Sequence, residues 1–396
     1  MHDGYDVLVL GGGVAGTAAA IAAAQQGARV MLARAGPGAS ALCAGGWCGS
    51  PPAAFAEALA RAGLALAQQR CALPRPDGTL LAADAAPLSH ARAAITEHGE
   101  ATLVCGIHGL PGFHAPALAA LWADAAGLPP RSLVAAALSL TGTPAAGWSP
   151  IALAALLERE PHRLAELGAV ARAHGATRVV LPAVLGLERH LAVHAAVEAE
   201  TQLAVGEALG APPSLPGWRL DVVLRAMLAE AGVAVITGRV LDRHAHAECI
   251  ESVTLRDELS TSTVHASYVV LATGKFIGGG VAADGRFVET ALGCDIALHR
   301  FGRRFDDASA SLMLTAEARA DMQPLLELGV RTDAEARPVR ESGDVVYRNV
   351  FVAGSVRAGR STALLGLGHA AAEGWNAGVA AAKQAQTATA ESGAWR

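Results

Sequence analysis

Gly11, Gly13 and Gly16 stand in the spacing Gly-x-Gly-x-x-Gly, and the chemistry that spacing serves is the binding of a pyrophosphate. The first glycine permits a tight turn. The second lets the backbone approach the phosphates with no Cβ in the way. The third lets a helix pack close against a strand. Val14 and Ala15 open that helix, whose free N–H groups and positive dipole end face the phosphates. Further chemistry-bearing residues lie far apart in the chain. His108, His114 and His369 are candidate bases, and Arg357 and Arg360 are candidate clamps for an anion, because a guanidinium matches a phosphate in bidentate fashion.

The elements that would position these residues follow from the pattern. The apolar run from Tyr5 to Leu10, the glycine turn, and the alanine-rich stretch after it read as strand, turn and helix. The next strand falls at 28–33 and ends at Arg34, where a standard dinucleotide site places an acidic residue for the ribose. Arg34 either favours a phosphorylated ribose or lies along the adenosine. After a loop at 36–40 come Ser40, Gly45 and Gly46, small residues that let a backbone run against a flat ring such as a flavin. A helix is expected over 53–70, a strand at 101–106, a loop carrying His108 at 107–113, a helix over 115–126 and a strand at 177–182. Pro212 to Gly217 reads as a rigid crossing between domains, followed by a helix over 219–231 and a strand at 233–236. A hairpin is expected over 249–268, then a separate buried strand from Tyr268 that ends at Thr273 and Gly274, a turn suited to the adenosine half of a flavin site. A strand at 349–352 delivers Gly354 and Ser355 to the ribityl or phosphate part. A closing helix over 369–383 aims its N-terminus at the flavin pyrimidine edge.

The fold class is therefore α/β. A Rossmann-type dinucleotide-binding domain with a parallel sheet is built from 1–70 and 205–396, and a smaller α/β domain at 71–204 is inserted into it. The 396 residues suffice for two or three domains. Hydrophobic content is 52%, but much of it is alanine, and no run approaches the roughly 20 apolar residues a spanning helix needs. Asp3 followed directly by a strand speaks against a signal peptide, and a cytoplasmic place is expected. A net charge of -5 without a basic stripe speaks against nucleic acid. The six cysteines form no Cys-x-x-Cys pair, so no zinc or cysteine-ligated iron–sulfur site is expected. Reduced thiols are the reading, with a Cys43–Cys48 redox pair as the alternative.

The chain resembles the family of B subunits of anaerobic glycerol-3-phosphate dehydrogenase, within the two-domain FAD oxidoreductases. The residues that carry the resemblance are the Gly11–Gly16 turn, Ser40-Ala41-Leu42, Gly106 to Leu110, and Leu215 to Leu220. To these add Val270 to Val281 with Glu289, Gly329 to Asp333, and Phe351 to Val356. The resemblance implies a soluble flavoprotein subunit of a heteromeric complex. An FAD-dependent sister subunit would oxidise sn-glycerol 3-phosphate to dihydroxyacetone phosphate. An iron–sulfur subunit would pass electrons to quinone, holding the complex peripherally on the inner face of the membrane. In this family the flavin is often taken to be FMN. A pyrophosphate turn argues for FAD, because FMN has no pyrophosphate, and FMN is kept as the alternative. Two other readings are a dehydrogenase of the succinate/fumarate or ketosteroid type, and a scaffold subunit whose flavin site is vestigial.

Overall fold

Tyr5–Leu10 (β1) is apolar from Val7 onward, and a strand without polar alternation has to be covered on both faces. Val7 and Val9 enter one core cluster, and Leu8 and Leu10 enter another. The computed structural model describes residues 4–96, 101–129, 131–140, 147–283, 286–297, 299–300, 303–304, 325, 327–359 and 366–393. It divides into two compact units. The first comprises Met1–Ser40, Pro51–Phe55 and Leu224–Arg396, and the second Ala41–Ser50 and Ala56–Val223. After β1 the chain forms helix α1 (Val14–Gln25) and strand β2 (Val30–Arg34). Every residue of α1 from Val14 to Ala23 is buried, as expected of a helix that is apolar all round.

The second unit holds a four-stranded parallel sheet. Its strands are β3 (Thr102–Ile107), β4 (Leu133–Leu138), β5 (Arg178–Leu181) and β6 (Ala204–Glu207), in the order β6-β5-β3-β4. Helices α2 (Ala115–Ala125) and α3 (His190–Thr201) belong to this unit, and α4 (Leu215–Glu230) begins in it and ends in the first. Leu103 and Cys105 of β3 face one core cluster and Val104 the other, so this sheet too is covered on both sides. Residues 41–50, 56–70 and 205–223, expected with the nucleotide-binding part, group with this second unit. The reason is structural: Ala204–Glu207 is a strand of its sheet, and Arg219 pairs with Glu207.

The Glu207 carboxylate is fully buried and accepts five hydrogen bonds. Val184 and Leu185 donate backbone N–H groups at 2.7 Å each, Ser89 its hydroxyl at 2.8 Å, and Arg219 two guanidinium nitrogens at 2.7 and 3.0 Å. Burial alone would raise its pKa, but the Arg219 guanidinium and the donor cage hold it well below the usual carboxylate range. His190 Nε2 lies 3.0 Å from the same Ser89 hydroxyl, and burial and Arg219 push its pKa down to about 3.

Back in the first unit the chain forms β7 (Ala234–Thr237), β8 (Arg239–His246), β9 (Cys249–Arg256) and β10 (Thr261–Leu271). It closes with β11 (Val350–Val352) and helix α5 (Leu367–Gly393). The sheet order is β7-β2-β1-β10-β9-β8, with β11 also paired to β10. The pairs among β7, β2, β1, β10 and β11 are parallel; β8, β9 and β10 are antiparallel.

Several element bounds differ from the sequence reading. The second arm of the hairpin and the buried strand after it are one strand, β10. Its polar half pairs with β9, and Tyr268–Leu271 runs on between β1 and β11. The helix expected over 53–70 is Ala53–Arg61, stopped where Gly63 takes φ +100° and Leu64 N–H returns to the Leu59 carbonyl. The helix expected from 219 opens at Leu215. Pro216 fits a first turn, where no N–H is needed, and Ser214 Oγ accepts the Gly217 N–H at 3.1 Å. Among the described residues no helix is long and apolar enough to cross a membrane.

Helix α5 lies directly on α1. A Cβ at Gly374 would overlap the Ala15 carbonyl, and one at Gly378 the Ala19 carbonyl. Gly378→Ala should therefore lower stability by about 1–3 kcal/mol, the usual cost of overpacking, read as an earlier urea midpoint. Arg219→Met leaves the Glu207 charge buried and unpaired. It should cost about 3–5 kcal/mol in the same measurement.

Candidate functional site

The turn between β1 and α1 is defined by two close approaches. Gly11 has φ +119°, and a Cβ there would overlap the Ala272 carbonyl at the end of β10. A Cβ at Gly16 would overlap the Gly11 carbonyl oxygen. Packing within the chain thus accounts for both glycines. Gly13 is different. It is the N-cap of α1 in an extended conformation (φ -78°, ψ -174°), and the nearest atom to a Cβ there is the rotatable Ser40 hydroxyl at 3.2 Å. Little in the chain itself requires glycine at this position. What the missing side chain leaves is a gap at the helix N-terminus bounded by that hydroxyl, the place a phosphate takes. Ser40 Oγ accepts the Val14 N–H at 3.0 Å.

The other candidate residues of this unit gather around the turn. Arg34 ends β2, is 9% exposed, and lays its side chain along Gly12, whose Cβ would fall 2.9 Å from Arg34 Cβ. Thr273 and Gly274 follow β10, and a Cβ at Gly274 would lie 3.7 Å from Ser355 Oγ. Gly354 abuts the first turn of α1: its Cβ would come within 2.7 Å of Ala15 Cβ. The Gly354 N–H is held by Glu373 Oε2 of α5 at 3.1 Å, and Glu373 Oε1 lies 3.8 Å from the Arg357 guanidinium. The first unit thus assembles Gly11, Gly13, Val14, Ala15, Gly16, Arg34, Ser40, Thr273, Gly274, Gly354 and Ser355 into one cradle.

Four of the sequence candidates belong to the second unit, a fifth lies in α5, and a sixth lies outside the described residues. Gly45 and Gly46 belong to the second unit, where a Cβ at Gly45 would sit 2.6 Å from His90 Nε2 and one at Gly46 2.7 Å from a Leu81 methyl. His108 is exposed in the loop after β3. His114 caps α2, its Nδ1 accepting the Ala117 N–H at 3.3 Å. His369 is exposed in the first turn of α5. Arg360 is the one outside the described residues. Cys43 and Cys48 are both free thiols.

Residues that the sequence pattern did not single out for chemistry also surround the cradle. Glu373 is one. Glu289 is buried and accepts backbone N–H groups from Ala291, Leu292 and Cys294, fixing the turn after it; burial raises its pKa against those bonds. Lys275, next to Gly274, is 4% exposed. Burial pushes its pKa down to about 8, opposed by the nearby Glu327 carboxylate. Its proton is held less tightly in the folded chain than in the unfolded one. The resulting penalty is full below pH 8 and fades as the pH rises towards the unfolded value near 10.4. Lys275→Met should therefore stabilise the chain at pH 7 by up to about 3 kcal/mol, with the gain over wild type shrinking by pH 10 in paired denaturation curves.

A family model described as the FAD binding domain matches residues 6–58 and 158–368. The probable B subunit of anaerobic glycerol-3-phosphate dehydrogenase from Halobacterium salinarum is 33% identical over 328 residues, which is 78% of this chain and 74% of that protein. The corresponding B subunit of Vibrio vulnificus is 29% identical over 198 residues, 48% of this chain and 42% of that protein. Among solved structures, the 3-ketosteroid-Δ4-(5α)-dehydrogenase of Rhodococcus jostii RHA1 aligns with a TM-score of 0.41 and 16% identity, over 96% of this chain and 97% of that one. The chain belongs to the FAD binding domain family and to the family of anaerobic glycerol-3-phosphate dehydrogenase B subunits.

Proposed function

We propose that this chain is the flavoprotein subunit of a quinone-linked glycerol-3-phosphate dehydrogenase complex, with FAD held in the cradle of the first unit. The observation that carries the cofactor assignment is Gly13. It is a glycine at the N-terminus of α1, between two glycines that packing explains, and the space left by its missing Cβ is bounded by the Ser40 hydroxyl. A pyrophosphate fills such a space, and FAD has one where FMN has none. The substrate assignment rests on the 33% identity with the Halobacterium salinarum protein.

When bound, FAD supplies the two-electron chemistry of its ring. The chain supplies position and field. The N–H groups of Ala15 and Gly16 have no carbonyl one turn back within the helix, so they are placed to meet phosphate oxygens. Ser40 Oγ accepts the Val14 N–H and shares that helix N-terminus with the phosphates. Arg34 brings a cation to the end of β2, on the side where the adenosine half would lie. Gly354 and Ser355 present backbone where the ribityl chain would pass. The relatives are named as B subunits, which supports association with partner subunits. In our reading these are an FAD-dependent sister subunit and an iron–sulfur subunit that delivers electrons to quinone, with the complex peripheral on the inner face of the membrane.

The test is the visible spectrum of the purified chain, followed by mass analysis of the flavin released by heat. FAD is the expected result. FMN would overturn the pyrophosphate assignment, and a colourless protein would favour the scaffold reading. Gly13→Asp sharpens the test. Asp is at least as good an N-cap as glycine, so the fold should be as stable as before or more so. Its carboxylate would oppose the pyrophosphate, and flavin content should fall about tenfold or more, a change of roughly 1.4 kcal/mol in affinity. Unchanged flavin content in a folded Gly13→Asp chain would place the pyrophosphate elsewhere.

A further inference from the structure

The first unit contains a second opening, a cavity of ≈ 490 Å³ whose lining includes Ala297, Glu327, Arg331, Thr332, Arg357 and Gly359. Two segments of chain form its wall. Val330 bridges to Arg357, Ala358 N–H donates to the Val330 carbonyl at 2.9 Å, and Gly359 N–H donates to the Glu327 carbonyl at 2.8 Å. Those bonds occupy the backbone donors of Ala358 and Gly359, so recognition falls to the side chains. Two guanidinium groups reach the cavity from different segments. Arg357 is held by donating Nε to Thr332 Oγ1 at 2.8 Å, with Glu373 3.8 Å from its other end. Thr332 accepts that bond and keeps its own hydroxyl proton to donate. Arg331 reaches the Glu341 carbonyl at 3.4 Å. Among the described lining residues these two cations meet one carboxylate, Glu327, which also faces Lys275, while Glu373 stands behind Arg357.

We propose that this cavity binds a small hydroxylated phosphomonoester. The Arg331 and Arg357 guanidinium groups and the Thr332 hydroxyl take the phosphate, and the Glu327 carboxylate takes a hydroxyl. Two cations from separate segments suit a compact dianion with three terminal oxygens, which both can engage at once. Glu327 accepts a hydroxyl but repels a second anionic group, so the same lining discriminates against dicarboxylates. The size suits a small ligand. The site adjoins the pyrophosphate cradle through Glu373, which holds the Gly354 N–H and faces Arg357, and it assigns to this chain a phosphoester site of its own. The choice of glycerol 3-phosphate as probe rests on the proposed function; the charge argument does not.

The test is calorimetric titration of the full chain, its flavin content read by absorbance beforehand, with sn-glycerol 3-phosphate, inorganic phosphate and succinate. Glycerol 3-phosphate should bind more tightly than phosphate, and succinate weakest. Arg331→Gln should weaken both phosphate ligands about tenfold or more, and Thr332→Val should weaken them several-fold, with flavin content unchanged. Glu327→Gln should leave phosphate binding in place and remove the preference for glycerol 3-phosphate over phosphate. The proposal is overturned if wild type binds neither phosphate ligand, if succinate binds as well as glycerol 3-phosphate, or if folded Arg331→Gln and Thr332→Val both bind as wild type does. Equal binding of phosphate and glycerol 3-phosphate by wild type would overturn the role of Glu327. Phosphoester binding by a flavin-free chain would leave this inference standing and remove the flavoprotein reading. A flavin-loaded chain that binds no phosphoester would do the reverse.

Discussion

At Gly11 and Gly16 the backbone comes so close to itself and to Ala272 that no side chain fits. That steric limit fixes where α1 leaves the sheet, and much of the first unit follows from it. The same helix is approached on another side by α5, with Gly374 and Gly378 over the carbonyls of Ala15 and Ala19. A helix gripped in this way has to be lined with small residues. The alanines of α1 are therefore a packing requirement, and they account for part of the positive mean hydropathy without implying contact with lipid. The cradle is a by-product of this economy of space. Once Gly11 and Gly16 are fixed by contacts, the N-terminus of α1 is held still, and Gly13 leaves it uncovered.

The second unit rests on a different kind of constraint. Glu207 is a charge placed where water cannot reach it, and five donors from three parts of the chain converge to compensate. Such a group contributes little to stability over an apolar replacement, yet removing one partner is costly. It fixes the relative places of β6, α4, Ser89 and the turn at Val184–Leu185. The sheet around it needs no such device, since its strands are covered by aliphatic side chains on both faces.

Much of the first unit was legible because its signals are local. The glycine spacing after an unbroken apolar strand, and the apolar runs at 268–271 and 350–352, each declare themselves within a few residues. The fusion of the hairpin with the buried strand was not legible, because only pairing shows that a polar half and an apolar half form one strand. The reach of the second unit to Val223 was hidden for a related reason: Arg219 is an ordinary helical arginine until it meets Glu207 in space. The cap role of a loop histidine was hidden for the opposite reason. His114 has the residue type of a base, but its position before Ala115-Pro116 makes it a helix cap. Glu373, Lys275, Glu327 and Arg331 carry no local signature, since their significance comes from neighbours distant in the sequence.

The first unit is also discontinuous in the order of synthesis. Strands β1 and β2 and helix α1 are made first, but β11 and α5, which complete their cover, are made more than 300 residues later. The second unit is drawn almost wholly from one uninterrupted stretch and depends on no such delay. Contacts this distant in sequence are slow to form, and domains of a growing chain tend to fold as units as they emerge. The inserted unit thus has its whole sheet available while the nascent apolar face of β1 still awaits its last partners, and that waiting interval is when this chain is most exposed to aggregation.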